Sequence, residues 1–466
     1  MTSSVSADPV AEYLVRHQDR AEAWLFELLR IPSVSADPAY AAHMEAARQA
    51  LMQRLRQMGL TAVQTLEGGG EPAVYAEYLH RPDKPTILIY GHYDVQPPDP
   101  LDAWRSPPFE PTVVGDHIYA RGASDVKGST MIALETVAAF LAVEGACPVN
   151  VKIFLEGEEE TGSPSLKEII RRHGERLRAD AVLSADGGRA SPSHPSINVG
   201  ARGVTTLEFS VESARKDLHS GRYGGAVRNA LHEMSMLLAS LHDKNGAIVV
   251  DGFLDDVPEL LPAQRADTAA LPFSEHDFLE EVGGIAGGEP GYTLRERVTL
   301  RPSIDVNGMW GGYTGVGAKT IIPCRASAKL SMRLVPGQSP QRARETVIAH
   351  LRRAVTPGMR LCISDQHASS PASTLSPSHP LVIAATRSLA SLSGKPVAHV
   401  RLGASVPITA LFKETLGIDT LMFGYNLPDE DVHAPNEFFR RSSITDGFRG
   451  WTKILRELSR FSREDF

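Results

Sequence analysis

Cysteine is scarce: Cys147, Cys324 and Cys362 are the only three in 466 residues, and none forms a CxxC pair. That excludes a disulfide framework and a thiolate zinc site, and it fits a reducing, cytoplasmic setting. Long runs of one charge are missing as well, with 48 Lys+Arg against 56 Asp+Glu and a formal net charge of −8. A phosphate backbone is therefore not expected as the main ligand, and no nucleic-acid partner is assigned. Apolar runs reach about a strand's length, short of the roughly 20 residues that span a bilayer. Met1 to Val10 lacks a basic segment followed by an apolar one, so neither export nor a membrane partner is expected. Repeats and low-complexity tracts are absent too. What remains is a globular chain, 42% hydrophobic and 22% charged, long enough for two to four domains.

Apolar spacing predicts an amphipathic helix over 11–30, ending at Ile31-Pro32, and a second over 40–58, ending at Gly59. Short continuous apolar runs at 86–90, 149–155, 181–183 and 420–423 read as strands buried on both faces of a sheet. Between the first two, Met131, Leu134, Ala138 and Leu141 line one stripe of a helix over 129–143. Strands alternating with helices predict an α/β fold: a mostly parallel sheet with helices on both faces. The middle of the chain differs. Residues 204–211 and 326–334 alternate as half-buried antiparallel strands do, with helical candidates over 226–242 and 341–355 and a loop-rich excursion over 252–302. This pattern predicts a discontinuous first domain, 1–202 and 382–466, with an α+β domain of βαβ/βαβ type inserted at 203–381.

Chemically loaded residues follow the apolar runs. The first ends in Gly91-His92-Tyr93-Asp94-Val95-Gln96-Pro97, the second in Glu156-Gly157-Glu158-Glu159-Glu160, and the third runs into Asp186-Gly187-Gly188. Asp125 lies just before the 129–143 helix, and His433 follows the last strand. Carboxyl ends of strands in an open α/β sheet form one crevice, where these five segments can meet. Taken one at a time each has a blander reading: a surface histidine, a solvated acidic helix start, an Asp that caps a helix. Together they point to metal. Imidazole suits Zn²⁺, carboxylates accept Zn²⁺, Mn²⁺ or Mg²⁺, and one carboxylate can bridge two ions. Two histidines and three acidic ligands, one shared, give each ion three protein ligands and leave a position open for water or substrate.

The motifs Gly-His-Tyr-Asp-Val-Gln-Pro at 91–97, Gly-Ala-Ser-Asp-Val-Lys-Gly at 122–128, Glu-Glu-Thr-Gly-Ser at 159–163, Asp-Leu-His-Ser-Gly at 217–221 and Arg-Leu-Val-Pro at 333–336 resemble the M20 metallopeptidases, and most closely their carnosinase and Cys-Gly dipeptidase branch. The resemblance extends from about residue 12 to 460. It implies a di-zinc exopeptidase-like catalytic domain and a ferredoxin-like lid, with dimerisation through the lid. It also implies two divalent ions per chain, Zn²⁺ first and Mn²⁺ second: His92 and Asp186 on one, Glu160 and His433 on the other, Asp125 bridging, with a cis peptide after Asp125. Asp94 would orient His92, Glu159 would be the general base, and His219 would donate to the oxyanion, often from the partner subunit in this family.

On the substrate side the resemblance implies Arg333 as a carboxylate clamp, with Thr320, His379 and Ser405 beside it. One departure bears on specificity: the dipeptidase branch reads Arg-Glu-Gly-Gly-Ser-Ile-Pro where this chain reads Arg401-Leu402-Gly403-Ala404-Ser405-Val406-Pro407, so Leu402 replaces a carboxylate near the substrate's amino end. The expected activity is hydrolysis of a dipeptide or a small C-terminal amino-acid conjugate. The alternatives are an N-acyl-amino-acid deacylase and, from another class, a noncatalytic metal-binding scaffold on a hydrolase fold.

Overall fold

The computed structural model of the chain describes residues 8–466; the start of the Met1 to Val10 segment lies outside the described residues. The chain divides into two compact units, one of Met1–Val199, Leu375–Val400 and Leu411–Phe466, the other of Gly200–Thr374 and Arg401–Ala410. Both boundaries fall within a few residues of those expected from sequence except at Arg401–Ala410, which leaves the first unit.

The first unit is built on a mixed sheet in the order β1-β2-β4-β3-β5-β7-β6, where β1 is Thr61–Leu66, β2 Ala73–Tyr78, β3 Thr86–His92, β4 Asn150–Glu156, β5 Ala181–Ser184, β6 Ser196–Ala201 and β7 Thr420–Met422. Its central block, β4-β3-β5-β7, is parallel. Antiparallel β1 and β2, which the apolar runs do not reveal, extend one side. Every residue of β3 and β4 is buried, because helices cover both faces. On one face Ile87, Ile89, Val151 and Ile153 share a core with helices Ala41–Gln57, Gly128–Glu144 and Arg441–Leu458. On the other, Tyr90 and Phe154 meet the ring of Phe412 edge-on at 6.0 and 6.1 Å.

Two helices depart from the sequence reading. The 11–30 helix is broken at His17 into Pro9–Arg16 and Gln18–Leu29. Helix Gly128–Glu144 is buried nearly all round and not along one stripe. With the turn before it, Ala123–Glu144 is long and apolar enough to cross a membrane, contrary to the strand-length limit read from sequence. Its burial inside the unit accounts for that composition, since a central core helix has no solvent face to keep polar.

The second unit carries strands Gly203–Glu212, Ser303–Gly311, Arg325–Leu334 and Arg360–Ile363 with helices Ala230–Ala239 and Pro340–Ala354. In chain order this is β-α-β-β-α-β, and all neighbouring strands are antiparallel with the fourth beside the first, then the third, then the second. That is the ferredoxin-like arrangement. Leu207, Phe209 and Val211 join Ala328, Leu330, Met332 and Leu334 in its core. The 252–302 excursion holds helices Pro262–Ala270, Glu275–Val282 and Leu294–Leu300, short elements whose weak apolar period hid them.

Candidate active site and metal centre

Register sets the site. His92 ends β3 opposite Glu156, the end of β4, and Asp186 lies two residues past the end of β5. Parallel strands in register deliver both to the carboxyl edge of the sheet. Asp125 sits in the 123–127 turn that opens the core helix, its backbone non-helical at φ −113° and ψ 92°, and the Asp125–Val126 peptide is cis. Glu160 is in the one-turn helix Glu159–Thr161 after β4. His433 lies on the loop after β7 at φ 62°, with Asp431 and Asn436 also at positive φ. Left-handed backbone at three non-glycine residues costs of order 1 kcal/mol or more each and persists only where the surroundings over-determine it.

These five side chains converge. Ligand atoms of His92, Asp125 and Asp186 lie within 4.8 Å of one another, and so do those of Asp125, Glu160 and His433. Asp125 belongs to both sets: its Oδ1 is 3.3 Å from His92 Nε2, and its Oδ2 is 2.9 Å from His433 Nε2. His433 Nε2 is also 3.2 Å from Glu160 Oε2, and His92 Nε2 is 3.9 Å from Asp186 Oδ2. His92 Nε2 is buried without a hydrogen-bond partner, and a buried polar atom left so is costly. The donor set fits a pair of divalent cations. The Nδ1 atom of His92 lies 3.1 Å from the carbonyl oxygen of Asp94 and 3.3 Å from its Oδ1. Asp94 Oδ2 accepts from the Glu160 N–H at 3.1 Å and from Ser35 Oγ at 2.7 Å. One buried carboxylate thus fixes both the imidazole and the turn that carries Glu160.

Packing carboxylates together shifts their titration. Burial pushes Asp186 up to about 7 against the pull of His92. Asp125 goes the other way: burial opposes, but hydrogen bonds from His433 and His92 hold it below the usual carboxylate range. Asp125 and Glu160 push His433 up to about 10. Burial raises Glu159, whose carboxyl feels His92 and the neighbouring Glu160, Asp125 and Asp94. Five carboxylates beside two imidazoles form a site with excess negative charge, which a cation would relieve.

The acidic triplet splits by task. Glu158 accepts from the backbone N–H groups of Glu71 and Ser165, both at 3.0 Å, and so ties the turn in place. Glu160 joins the cluster, where its Oε2 also accepts from Gln96 Nε2 at 2.9 Å. Glu159 makes no side-chain hydrogen bond among the described residues. Sequence reading missed Gln96, Ser35, Glu430 and Glu437 as supports of the site. Glu437 stands in the same Asp-Val-His-Ala-Pro-Asn-Glu stretch as His433, but a lone glutamate there carries no mark of burial.

In the second unit, strand Leu218–His219 pairs with Ile321–Ile322, and the Ser220 N–H donates to the Thr320 carbonyl at 3.0 Å. His219 and Thr320 are therefore neighbours, both exposed. His219 Nδ1 accepts from the Gly221 N–H at 3.1 Å, which leaves the proton of a neutral ring on Nε2, facing outward as a donor. Arg333 Nη1 donates to Ser405 Oγ at 3.0 Å, joining the clamp candidate to the 401–410 segment. Arg202 holds that segment from below, its Nε donating to the Gly403 carbonyl at 2.8 Å.

His379 does not join any of these groups, a correction to its expected substrate role. It caps helix Pro380–Ser393, accepting from the Leu381 N–H at 3.2 Å, and its Nε2 is 3.5 Å from Asp419 Oδ2. Asp419 immediately precedes β7, so this pair sits at the edge of the sheet opposite the ligands. The hydrogen bond from His379, with Lys413 assisting, holds the Asp419 carboxyl below its ordinary value. A carboxyl so depressed contributes stability above its unfolded value of about 3.9, and that contribution is lost as pH falls through the folded value. His379→Ala is expected to cost about 1 kcal/mol of stability, to flatten the loss of stability below about pH 4, and to leave KM unchanged. Urea unfolding at several pH values with steady-state kinetics checks this; a raised KM at full stability would return His379 to the substrate.

With the geometry in place, likeness to known proteins can be weighed. The model of peptidase family M20/M25/M40 matches residues 88–457. The chain is 28% identical to the Cys-Gly metallodipeptidase dug1 of Schizosaccharomyces pombe, covering 98% of this chain and 99% of that protein. It is 29% identical to the human Beta-Ala-His dipeptidase over 98% of this chain and 95% of that one. Among solved structures, the M20 metallo-carboxypeptidase Sso-CP2 of Sulfolobus solfataricus superposes with a TM-score of 0.78 at 31% identity, covering 95% of this chain and all (100%) of that one. Human carnosine dipeptidase 1 gives 0.75 at 26% identity, with 97% and 98% covered. The match over most of the chain settles the family: this protein belongs to peptidase family M20/M25/M40 and is a hydrolase of the metallopeptidase class.

Proposed function

We propose that this chain is a dinuclear metal-dependent hydrolase of dipeptides or small C-terminal amino-acid conjugates. The observation that carries the reading is the pair of ligand sets sharing Asp125. His92 and Asp186 would hold one ion, Glu160 and His433 the other, and Asp125 both; imidazole with carboxylate puts Zn²⁺ first and Mn²⁺ second. What such a pair supplies when bound is Lewis acidity, which lowers the pKa of a coordinated water from 15.7 to about 7.

The chain's own groups do the rest. Glu159, raised by burial and free of hydrogen bonds to its neighbours, takes the proton of the attacking water and returns it to the leaving amine nitrogen; a carboxyl shifted towards neutrality serves both transfers. Asp94 keeps His92 in one orientation. The Nε2–H of His219 donates to the oxyanion that forms on the attacked carbonyl. Arg333, steadied by Ser405, clamps the free substrate carboxylate with its paired donors, and Thr320 lies beside His219 to line the same substrate.

A homodimer through the second unit, each subunit lending His219 to the other, is part of this proposal. It is supported by the edge strand Ser303–Gly311, whose Val306, Met309 and Trp310 are 47%, 47% and 44% exposed. An apolar edge strand is a template for pairing with a second chain. Three unpaired thiols agree with a cytoplasmic setting.

One residue favours a second reading within the same chemistry. Leu402 stands where the dipeptidase branch has a carboxylate for the substrate amine, which suits an N-acyl amino acid. Metal content is expected at two ions per chain, and a dipeptide screen with Zn²⁺ and Mn²⁺ should show hydrolysis. Competition between an X-His or X-Gly dipeptide and its N-acetylated form then decides: a dipeptidase prefers the free amine, a deacylase the acylated form. No hydrolysis of either by the metal-loaded protein would remove the proposal.

A further inference from the structure

A bridging carboxylate needs a fixed backbone, yet Asp125 lies on a loop, residues 121–125, outside any strand ladder. The N–H groups of that loop turn instead to one side chain. Gly122 N–H donates to Glu437 Oε2 at 2.9 Å, while Ser124 and Asp125 N–H donate to Oε1 at 2.9 and 3.0 Å. Arg121 Nη1 adds a fourth donor to Oε2 at 2.7 Å. Glu437 is 0% exposed and Arg121 1%. Each oxygen accepts two bonds and every partner is a donor, an arrangement that only an ionised carboxylate satisfies fully. Gly122 is needed here as well: its φ is +80°, and a Cβ on it would come within 2.5 Å of Val95.

Glu437 lies four residues beyond His433. Three residues before His433, a second buried carboxylate, Glu430, accepts from Ser124 Oγ at 2.6 Å through Oε2 and from Arg440 Nη1 at 3.0 Å through Oε1. The loop carrying His433 is thus bracketed by two carboxylates, both seated on the loop carrying Asp125.

We propose that Glu437 is a positioning residue for the metal centre: by gathering the N–H groups of 122–125, it locks the bridging Asp125 and the His433 loop at one separation. The assignment rests on the metal-ligand reading given above. Because Asp125 belongs to both ligand sets, the consequence is specific. Disturbing Glu437 must weaken both ion positions together, whereas disturbing His433 alone would weaken one. In Glu437→Gln an amide nitrogen meets N–H donors that have lost their acceptor, and outer-shell partners of this kind are worth 10–100-fold in metal affinity.

The test is titration of Zn²⁺, and separately Mn²⁺, into the metal-stripped full-length wild type and Glu437→Gln, with circular dichroism confirming that both are folded at 25 °C. The expected result is two ions per wild-type chain, and in the variant a Kd raised about 10–100-fold for both, with kcat restored by excess metal and KM unchanged. A purely structural role would lower thermal stability but leave both Kd values alone, and that result overturns the proposal. Should Glu437→Gln not fold, Glu437→Asp keeps the charge on a shorter arm and is expected to show the same paired loss. Wild-type affinity in Glu437→Asp, or failure of both variants to fold, would also overturn it. A wild type that binds no ion would defeat the metal-ligand reading itself, and this assignment with it.

Discussion

Glu159→Ala is expected to retain two bound metal ions per chain while losing at least 10²–10⁴-fold in kcat, the range a positioned general acid–base group supplies. At 1.36 kcal/mol per tenfold, that is about 3–5 kcal/mol of transition-state stabilisation. The separation of the two effects follows from the turn at Glu158–Glu160. Glu158 is committed to the Glu71 and Ser165 N–H groups, and Glu160 to the cluster with His433 and Gln96. Glu159 is the member with no such commitment, so truncating it removes a proton carrier without removing a ligand or an anchor. Metal analysis beside a dipeptide assay reads both quantities. Full turnover in the variant would strip Glu159 of its role, and loss of the ions along with turnover would make it a ligand or support instead.

His219→Ala should lower kcat by about 10²–10³, the usual cost of one oxyanion donor, with the metal content intact. The Gly221 N–H bonded to Nδ1 fixes the tautomer that leaves Nε2–H free, so His219→Gln, which keeps an N–H donor, should recover part of the rate. If His219 acts across a dimer, mixing Glu159→Ala with His219→Ala subunits restores activity, because each hybrid has one site with both groups intact. Size analysis of the wild type and of the mixture accompanies the assay. No recovery in confirmed hybrid dimers would place His219 in action within its own subunit.

Much of this site could be read from the chain alone because its ligands follow strand ends. His92 after an unbroken apolar run, Asp186 after another, and Glu160 after a third are placed together by the rule that parallel strands share a carboxyl edge. Asp125 and His433 were found through the motifs that surround them, not through any periodic pattern, since loops have none. His379 shows where motif likeness misleads: a histidine before a proline at a helix start is equally well a cap, and only its pairing with Asp419 distinguishes the two.

The sequence by itself determined the alternation of strands and helices, the inserted antiparallel unit and the residue types at the strand ends, because burial on two faces, burial on one face and helical burial each leave a distinct apolar period. Tertiary structure alone decided that the 123–144 helix is a core helix, that β1 and β2 close one side of the sheet, and that Glu437 serves the loop of Asp125. Each of these depends on contacts between residues far apart in the chain. Glu437 and Gly122 are separated by 315 positions, and no local pattern can encode a partner that only folding brings near.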